Sequence, residues 1–252
     1  MRNVRIEIKC LCFIFTGCLM FFGITDAVAT EGLIAHWAME RLENDAVKDI
    51  SGNGHDAKFG SKVKDVKPEF VSGRAGNAMK FEQSKMMYLS VAKSEDFNID
   101  KNITLMAWVK PSDNMRRRRG EILCNTLDNG ERGKTWPGWR FECGWSMFEF
   151  RYLTVEDKYG AGRSPGGTVP AGSWTHIAVT FDGKTICLYV NAILKRTVPG
   201  KGDISSSEYP LIIGNYVGSK TPYAFDGLLD EIKVFNKVLT KDEIWEESLP
   251  KE

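Results

Sequence analysis

At 252 residues, 42% of them hydrophobic and 11% aromatic, the chain is long enough to bury a sizeable core within one all-β domain. Its 34 basic residues against 33 acidic leave a formal net charge of +1, which excludes a global field of the kind that draws nucleic acid or an anionic membrane. Any charged partner must be met by a local patch.

The first 29 residues read as a separate object. Arg2, Arg5 and Lys9 precede an apolar run from Cys10 to Ile24, and Ala27-Val28-Ala29 supplies the small residues of an A-x-A cleavage site. The competing reading is a retained anchor, but the run is shorter than the roughly 18 apolar residues needed to cross comfortably. Thr16-Gly17-Cys18 resembles a lipobox, but the apolar run continues past it. The expectation is a secretory signal peptide over 1–29, a domain over 30–252 with no membrane span after cleavage, and a secreted location, extracellular or periplasmic. Of six cysteines, Cys124, Cys143 and Cys187 would remain. That odd number suits one bridge and one free thiol, or three buried thiols acting as small hydrophobes.

In chain order, Leu33, Ala35, Trp37 and Met39 alternate with Ile34, His36 and Ala38, a period-2 strand signal. Asp49-Ile-Ser-Gly-Asn-Gly-His-Asp56 is a turn-rich loop that gathers the oxygens of Asp49, Ser51 and Asn53. Residues 60–77 read as a surface connection with at most one short strand. Strands are predicted over 78–81 and 86–91, a turn over 94–98, and a core strand from Ile103 to Pro111 with apolar residues on both faces. Further strand candidates are 121–125, 139–143 and 148–153, whereas 157–171, rich in glycine and proline, reads as a long surface loop. Strands 174–181 and 185–190 are joined through Asp182-Gly183, read as a type I′ hairpin. Ile212 to Gly214 is a short strand, and Leu229, Glu231, Lys233 and Phe235 alternate with Asp230, Ile232 and Val234 in another. Thr240-Lys-Asp-Glu243 is a capping box that opens a short closing helix.

Six of these stretches, in order, carry a resemblance: Gly32-Leu-Ile-Ala-His-Trp-Ala38, the 49–55 loop, Ile103-Thr-Leu-Met-Ala-Trp-Val-Lys-Pro111, Trp174-Thr-His-Ile-Ala-Val-Thr-Phe-Asp-Gly183 with Leu188-Tyr-Val-Asn191, Phe225-Asp-Gly-Leu-Leu-Asp-Glu-Ile-Lys-Val-Phe235, and the segment 236–244. Together they resemble the laminin-G-like, concanavalin A-like lectin/glucanase domains of secreted bacterial proteins. The resemblance implies a two-sheet antiparallel jelly-roll β-sandwich with a short C-terminal helix. It implies a Cys124–Cys143 pair, because the family places those strands side by side. It also implies a structural calcium ion held by Asp49, Asn53 and Asp230 with the His55 carbonyl; the alternative is a local Asx-turn at Asp49 and Asn53 with Asp230 a solvated strand residue. Asn191-Ala192 departs from the family's usual Asn-Gly.

For ligand binding, Trp136, Trp139 and Trp145 fall within ten residues, and exposed indoles stack on sugar rings; Tyr152, Tyr159 and Tyr223 could extend the platform, or at least two of the tryptophans are core. The run Arg116 to Arg119, with Arg117 and Arg118 at its centre, could clamp carboxylate or sulfate groups, or form a solvated hairpin tip. The Glu-x-Asp-x-x-Glu motif of related laminarinases is absent, with Glu142 and Glu149 the nearest carboxylates. No phosphate loop, nucleophile elbow or His-Glu-x-x-His motif occurs. The sequence therefore leans toward a non-catalytic, lectin-like module with a polysaccharide or glycoprotein partner, an acidic or sulfated glycan among the options. The alternatives are a hydrolase or lyase with an atypical site and a protein-binding adhesion or scaffold domain.

Overall fold

The structure is a computed structural model that describes residues 31–126, 136–216 and 223–249. The expected signal peptide lies outside the described residues. The first part of the chain supplies β1 (Leu33–Trp37), β2 (Ala46–Val47), β3 (Ala57–Ser61), β4 (Glu69–Ser72), β5 (Asn77–Phe81) and β6 (Met87–Val91). The middle supplies β7 (Ile103–Pro111), β8 (Arg119–Cys124), β9 (Trp139–Gly144), β10 (Met147–Leu153) and β11 (Tyr159–Arg163). The last part supplies β12 (Thr175–Phe181), β13 (Thr185–Val190), β14 (Ile193–Pro199), β15 (Leu211–Ile213), β16 (Gly227–Phe235) and the helix α1 (Lys241–Ser248).

These strands form two antiparallel sheets packed face to face as a jelly-roll sandwich, with one short helix at the carboxyl end. The first sheet runs β14, β13, β12, β7, β16, β5, β4, with β1 also paired to β16; the second runs β11, β10, β9, β8, β15, β6, β3, β2. Alternation sorts the side chains. Ile103, Leu105, Ala107 and Val109 of β7 meet Phe141, Phe148 and Phe150 of the second sheet in the main core, while Met106 points outward into a second cluster.

That second cluster exists because α1 packs on the outer faces of β7, β12, β13 and β16. Met106, Ala178, Tyr189, Phe235 and Leu239 pack with Ile244 of the helix. Lys233, 1% exposed, donates from Nζ to Oε2 of Glu247 at 2.6 Å and to its backbone carbonyl at 3.1 Å, and Trp108 Nε1 donates to the Ser248 carbonyl at 3.1 Å. The capping box at the start of the helix forms as expected: Thr240 Oγ1 accepts from the Glu243 amide while the Glu243 carboxylate accepts from the Thr240 amide.

Several readings are corrected by backbone geometry. The strict alternation expected in β16 is interrupted at Glu231, whose φ of 49° breaks the pairing with β7 between Asp230 and Lys233. Leu229 therefore shares the core with Ile232 and Val234, and Lys233 turns outward under the helix. The Asp182-Gly183 hairpin forms, but only Gly183 takes positive φ; Asp182 instead accepts the Lys184 and Thr185 amides on Oδ1. The positive-φ pair sits one turn later, at Asn191 (49°) and Ala192 (58°), joining β13 to β14, and the Ala192 methyl is buried in the outer cluster. β11 lies inside the stretch read as a loop.

The expected Cys124–Cys143 bridge does not form. A bulge in β8 at Ile122 puts both Ile122 and Leu123 into the core and leaves Cys124 on the outer face, beside Ile212 and Tyr216, whereas Cys143 of β9 faces the core. All three thiols in the described residues are free, and burial pushes that of Cys143 up to about 12 and that of Cys124 well above its ordinary value.

Two outcomes follow for the fold. Lys233→Ala leaves a buried carboxylate without its cation and is expected to cost about 3–5 kcal/mol, against about 1 kcal/mol for Thr240→Ala, read from urea midpoints at unchanged slope. Under native conditions a thiol reagent should label Cys187 of the three, with Cys124 and Cys143 reacting only after unfolding; reducing agent should leave the melting temperature unchanged.

Candidate functional site

With the outer faces of β7, β12, β13 and β16 in the first sheet packed against α1, the outer face of the second sheet carries a ladder of charged side chains. Along β9, Trp139, Phe141 and Cys143 face the core, so Arg140 and Glu142 face out; along β10, Phe148, Phe150 and Tyr152 face in, so Glu149 and Arg151 face out. Register then lines up Glu121 of β8, Glu142 of β9, Glu149 of β10 and Arg163 of β11 directly across four strands, with Arg140 and Arg151 paired one step along.

The charges interlock. Arg140 donates to Glu121 and, at 3.3 Å, to Glu142; Arg119 reaches Glu142 at 2.9 Å; Arg151 lies 2.8 Å from both Glu142 and Glu149; and Arg163 donates to Glu149 at 3.0 Å. Burial dominates at Glu121: it raises the carboxyl to about 8 despite the pull of Arg140, and the Glu142 charge opposite adds to the rise. Burial also opposes ionisation of Glu149, but the hydrogen bonds of Arg151 and Arg163 outweigh it and hold that carboxyl below its ordinary value. Aromatic rings stack between the guanidinia. Arg119 lies 4.7 Å from the Trp145 ring centroid and 6.0 Å from Tyr223, and Arg140 lies 5.5 Å from Tyr223 and 4.4 Å from Tyr216.

At one end of this ladder is a recess of ≈ 120 Å³ bordered by Thr126, Trp136, Gly138, Arg140, Arg151 and Tyr159. At the other end Trp145 stands on the two-residue β9–β10 tip with φ 51°, followed by Ser146 at 58°. A bulky side chain in the left-handed region is strained, and its indole is 40% exposed. The start of β8 can approach the end of β9 because residue 144 is glycine: a Cβ there would meet the Arg118 carbonyl oxygen at 2.1 Å.

The structure separates the residues that the sequence grouped. Trp136 borders the recess and Trp145 crowns the ladder, but Trp139 is core: 1% exposed, it donates from Nε1 to the Phe97 carbonyl at 3.2 Å. The arginine run fans out instead of clamping. Arg116 turns back to Asp113 at 2.8 Å, Arg117 is exposed, Arg118 donates to Gln83 Oε1 at 2.6 Å beside a polar recess of ≈ 380 Å³ lined partly by Asn114 and Asp226, and Arg119 joins the ladder. Glu142 and Glu149 lie on the ladder, tied to arginines. Thr126, Arg140, Arg151, Glu121 and Tyr216 were not singled out in the sequence, although the alternation of Trp139-Arg-Phe-Glu-Cys and Phe148-Glu-Phe-Arg-Tyr already places the charged residues of β9 and β10 on one face.

Calcium does not fit the residues nominated for it. Asp49 Oδ1 accepts the His36 and Ser51 amides, each at 2.9 Å, and Oδ2 accepts Ser51 Oγ at 2.8 Å and the His55 amide at 3.0 Å. Those four donors take the carboxylate's four lone-pair directions. Asn53 uses Nδ2 on the Leu33 and Ile34 carbonyls, and the His55 carbonyl accepts from Trp37 Nε1 at 2.8 Å. Asp230 is neither solvated nor part of that loop. It is fully buried, its carboxyl raised to about 7 by burial, and Oδ2 accepts the Arg74 and Ala75 amides. Among the described residues there is no group of three or more His, Cys, Asp or Glu able to hold a metal ion.

Residues 84–245 match the family model Laminin_G_3, Concanavalin A-like lectin/glucanases superfamily. Among solved structures, the chain is similar to the binding domain of Paraclostridial Mosquitocidal Protein 1, with TM-score 0.65 and 18% identity over 86% of this chain and 52% of that one. It is similar to domain 4 of AbnA, a GH43 extracellular arabinanase from Geobacillus stearothermophilus, in complex with arabinotriose (0.57, 18%, 86% and 98%). It is also similar to the botulinum neurotoxin serotype D ligand-binding domain in complex with N-acetylneuraminic acid (0.60, 14%, 86% and 50%). The chain spans about half the length of the two toxin chains, and at these identities the likeness carries the fold alone. No curated protein sequence matches.

Asp49→Ala should lower stability by more than about 2 kcal/mol through loss of its charge-assisted hydrogen bonds, equally in calcium and in chelator; a loss confined to calcium-containing buffer would restore the metal. Glu121 binds a proton in the native state up to about pH 8 but only to about 4.5 when unfolded, so its contribution to stability falls as pH rises through that window. Glu121→Gln should flatten that decline in urea midpoints measured from pH 5 to 8.

Proposed function

We propose that this chain, which belongs to the concanavalin A-like lectin/glucanases superfamily, is a carbohydrate-recognition module whose binding face is the outer surface of β8 to β11. The observation that carries the reading is the juxtaposition on that face of the recess beside Trp136 and Tyr159 with the exposed Trp145 platform. An aromatic ring offers an apolar face to a pyranose, and the surrounding guanidinia hydrogen-bond its substituents. The similar structures that hold arabinotriose and N-acetylneuraminic acid support a glycan as the partner class, free as polysaccharide or displayed on a glycoprotein. The leader-like segment 1–29 supports export to the cell exterior or periplasm.

Recognition is favoured over hydrolysis by the state of the carboxylates. Glu121, Glu142 and Glu149 each contact at least one arginine, which leaves none of them poised as a free nucleophile beside a lone acid. The reading does not depend on calcium in the 49–56 loop.

Affinity electrophoresis of the protein through gels containing neutral, uronic or sulfated polysaccharides tests it, with retardation by at least one class expected. Trp145→Ala should weaken that retardation by up to about tenfold, the equivalent of about 0.5–1.5 kcal/mol of aromatic contact, without lowering stability. A protein that runs unretarded in every gel, yet is captured by deglycosylated surface proteins, would replace the carbohydrate reading with a protein-binding one.

A further inference from the structure

The recess at the end of the ladder contains polar groups that the protein itself leaves without hydrogen bonds. Trp136 Nε1 and Thr126 Oγ1 are buried without a hydrogen-bond partner, and Arg151 beside them is ion-paired to Glu142 through Nε at 2.8 Å. All three residues border the recess. Buried polar atoms in native proteins are paired, so two orphans on one hollow mark a place where a ligand or ordered water completes the set.

Their chemistry is one-sided. Indole N–H and guanidinium N–H donate and never accept, and the hydroxyl of Thr126 can donate as well. Two guanidinia, Arg140 and Arg151, border the recess, and among the described residues no carboxylate does. Across the wider ladder, four arginines face three glutamates, and Glu121 is held protonated to about pH 8, which enlarges the positive surplus near neutrality. The complement of such a lining is an acceptor with negative charge. A planar carboxylate suits a guanidinium edge, while the Trp136 and Tyr159 rings suit the apolar face of the sugar that bears it. Size restricts the occupant further: ≈ 120 Å³ is well below the roughly 300–1,000 Å³ of pockets that enclose drug-sized ligands, so the recess holds one ring and not a run of them.

We propose that this recess takes the carboxylate-bearing terminal residue of an acidic glycan, with Trp136, Thr126 and Arg151 as its hydrogen-bonding partners. The proposal rests on the carbohydrate reading above and narrows it to one subsite and one class of sugar.

The test titrates the purified protein calorimetrically with three ligands: uronate oligosaccharides of two to eight units, the same oligosaccharides after chemical reduction of their carboxylates to primary alcohols, and a sulfated neutral oligosaccharide. Binding to the uronates is expected at the same molar affinity for every length, at least about tenfold tighter than to the carboxyl-reduced set and to the sulfated one. Trp136→Phe removes the indole donor with little change of shape, and Thr126→Val removes the hydroxyl. Each should weaken uronate binding at least about fivefold while the urea midpoint stays level or rises, because an unsatisfied buried group is lost. Arg151→Gln should erase the preference for uronate.

Equal affinity for native and carboxyl-reduced oligosaccharides would overturn the acidic assignment and leave the carbohydrate reading standing. Tighter binding of the sulfated ligand would reassign the subsite to sulfate, and affinity that climbs with length would replace end recognition by a groove. Absence of binding to all three ligands, joined to absence of retardation in every polysaccharide gel, would remove both the subsite and the reading on which it rests.

Discussion

Lys233 and Glu247 form an ion pair with both side chains nearly excluded from solvent, and the arrangement of the rest of the molecule depends on it. An ammonium group at that depth is tolerated only with a partner, so the strand that carries it fixes the place of the helix that supplies the partner. The helix then covers the outer faces of β7, β12, β13 and β16, held there by the indole N–H of Trp108 and the apolar cluster around Met106 and Phe235. A sandwich has two outer faces. With part of one covered by its own chain, the other is left to the solvent.

The two faces reach low polarity exposure by different routes. On the first sheet, apolar side chains meet a helix, and a single charge pair sets its position. On the second, charges are neutralised laterally, strand to strand, by arginines that also stack on tyrosine and tryptophan rings. Backbone irregularities set the phase in both sheets. The bulge in β8 sends Ile122 and Leu123 inward together so that Glu121 and Cys124 both point out, and the bulge at Glu231 does the corresponding work for Lys233.

Much of the fold was legible in the chain because β1, β7, β12 and β16 carry apolar residues at period 2, with turn residues at their ends. β14 escaped because it is an exposed edge strand whose Lys195, Arg196 and Thr197 carry no apolar stripe, and β11 because Gly160 and Gly162 thin its signal. Phase, not identity, separated the tryptophans: position 139 shares the parity of Phe141 and is core, and a count of aromatic residues in a window is blind to that. Asp49 shows the opposite difficulty. A loop dense in oxygens looks the same in sequence whether its carboxylate faces cations or amide hydrogens, and here four donors from three other residues occupy it. Nor does sequence alone mark an orphaned donor such as Trp136 Nε1, since that depends on what fails to approach it.

Trp145 holds a left-handed backbone conformation that favours glycine or asparagine, and it does so at a two-residue hairpin tip where those residues are the commonest choice. The indole is therefore kept against local preference. Under laboratory evolution for heat resistance alone, replacement of Trp145 by asparagine or glycine should be among the early gains, and the exposed ring over Arg119 would be the first thing lost. Durability and an exposed aromatic ring pull in opposite directions at this one residue.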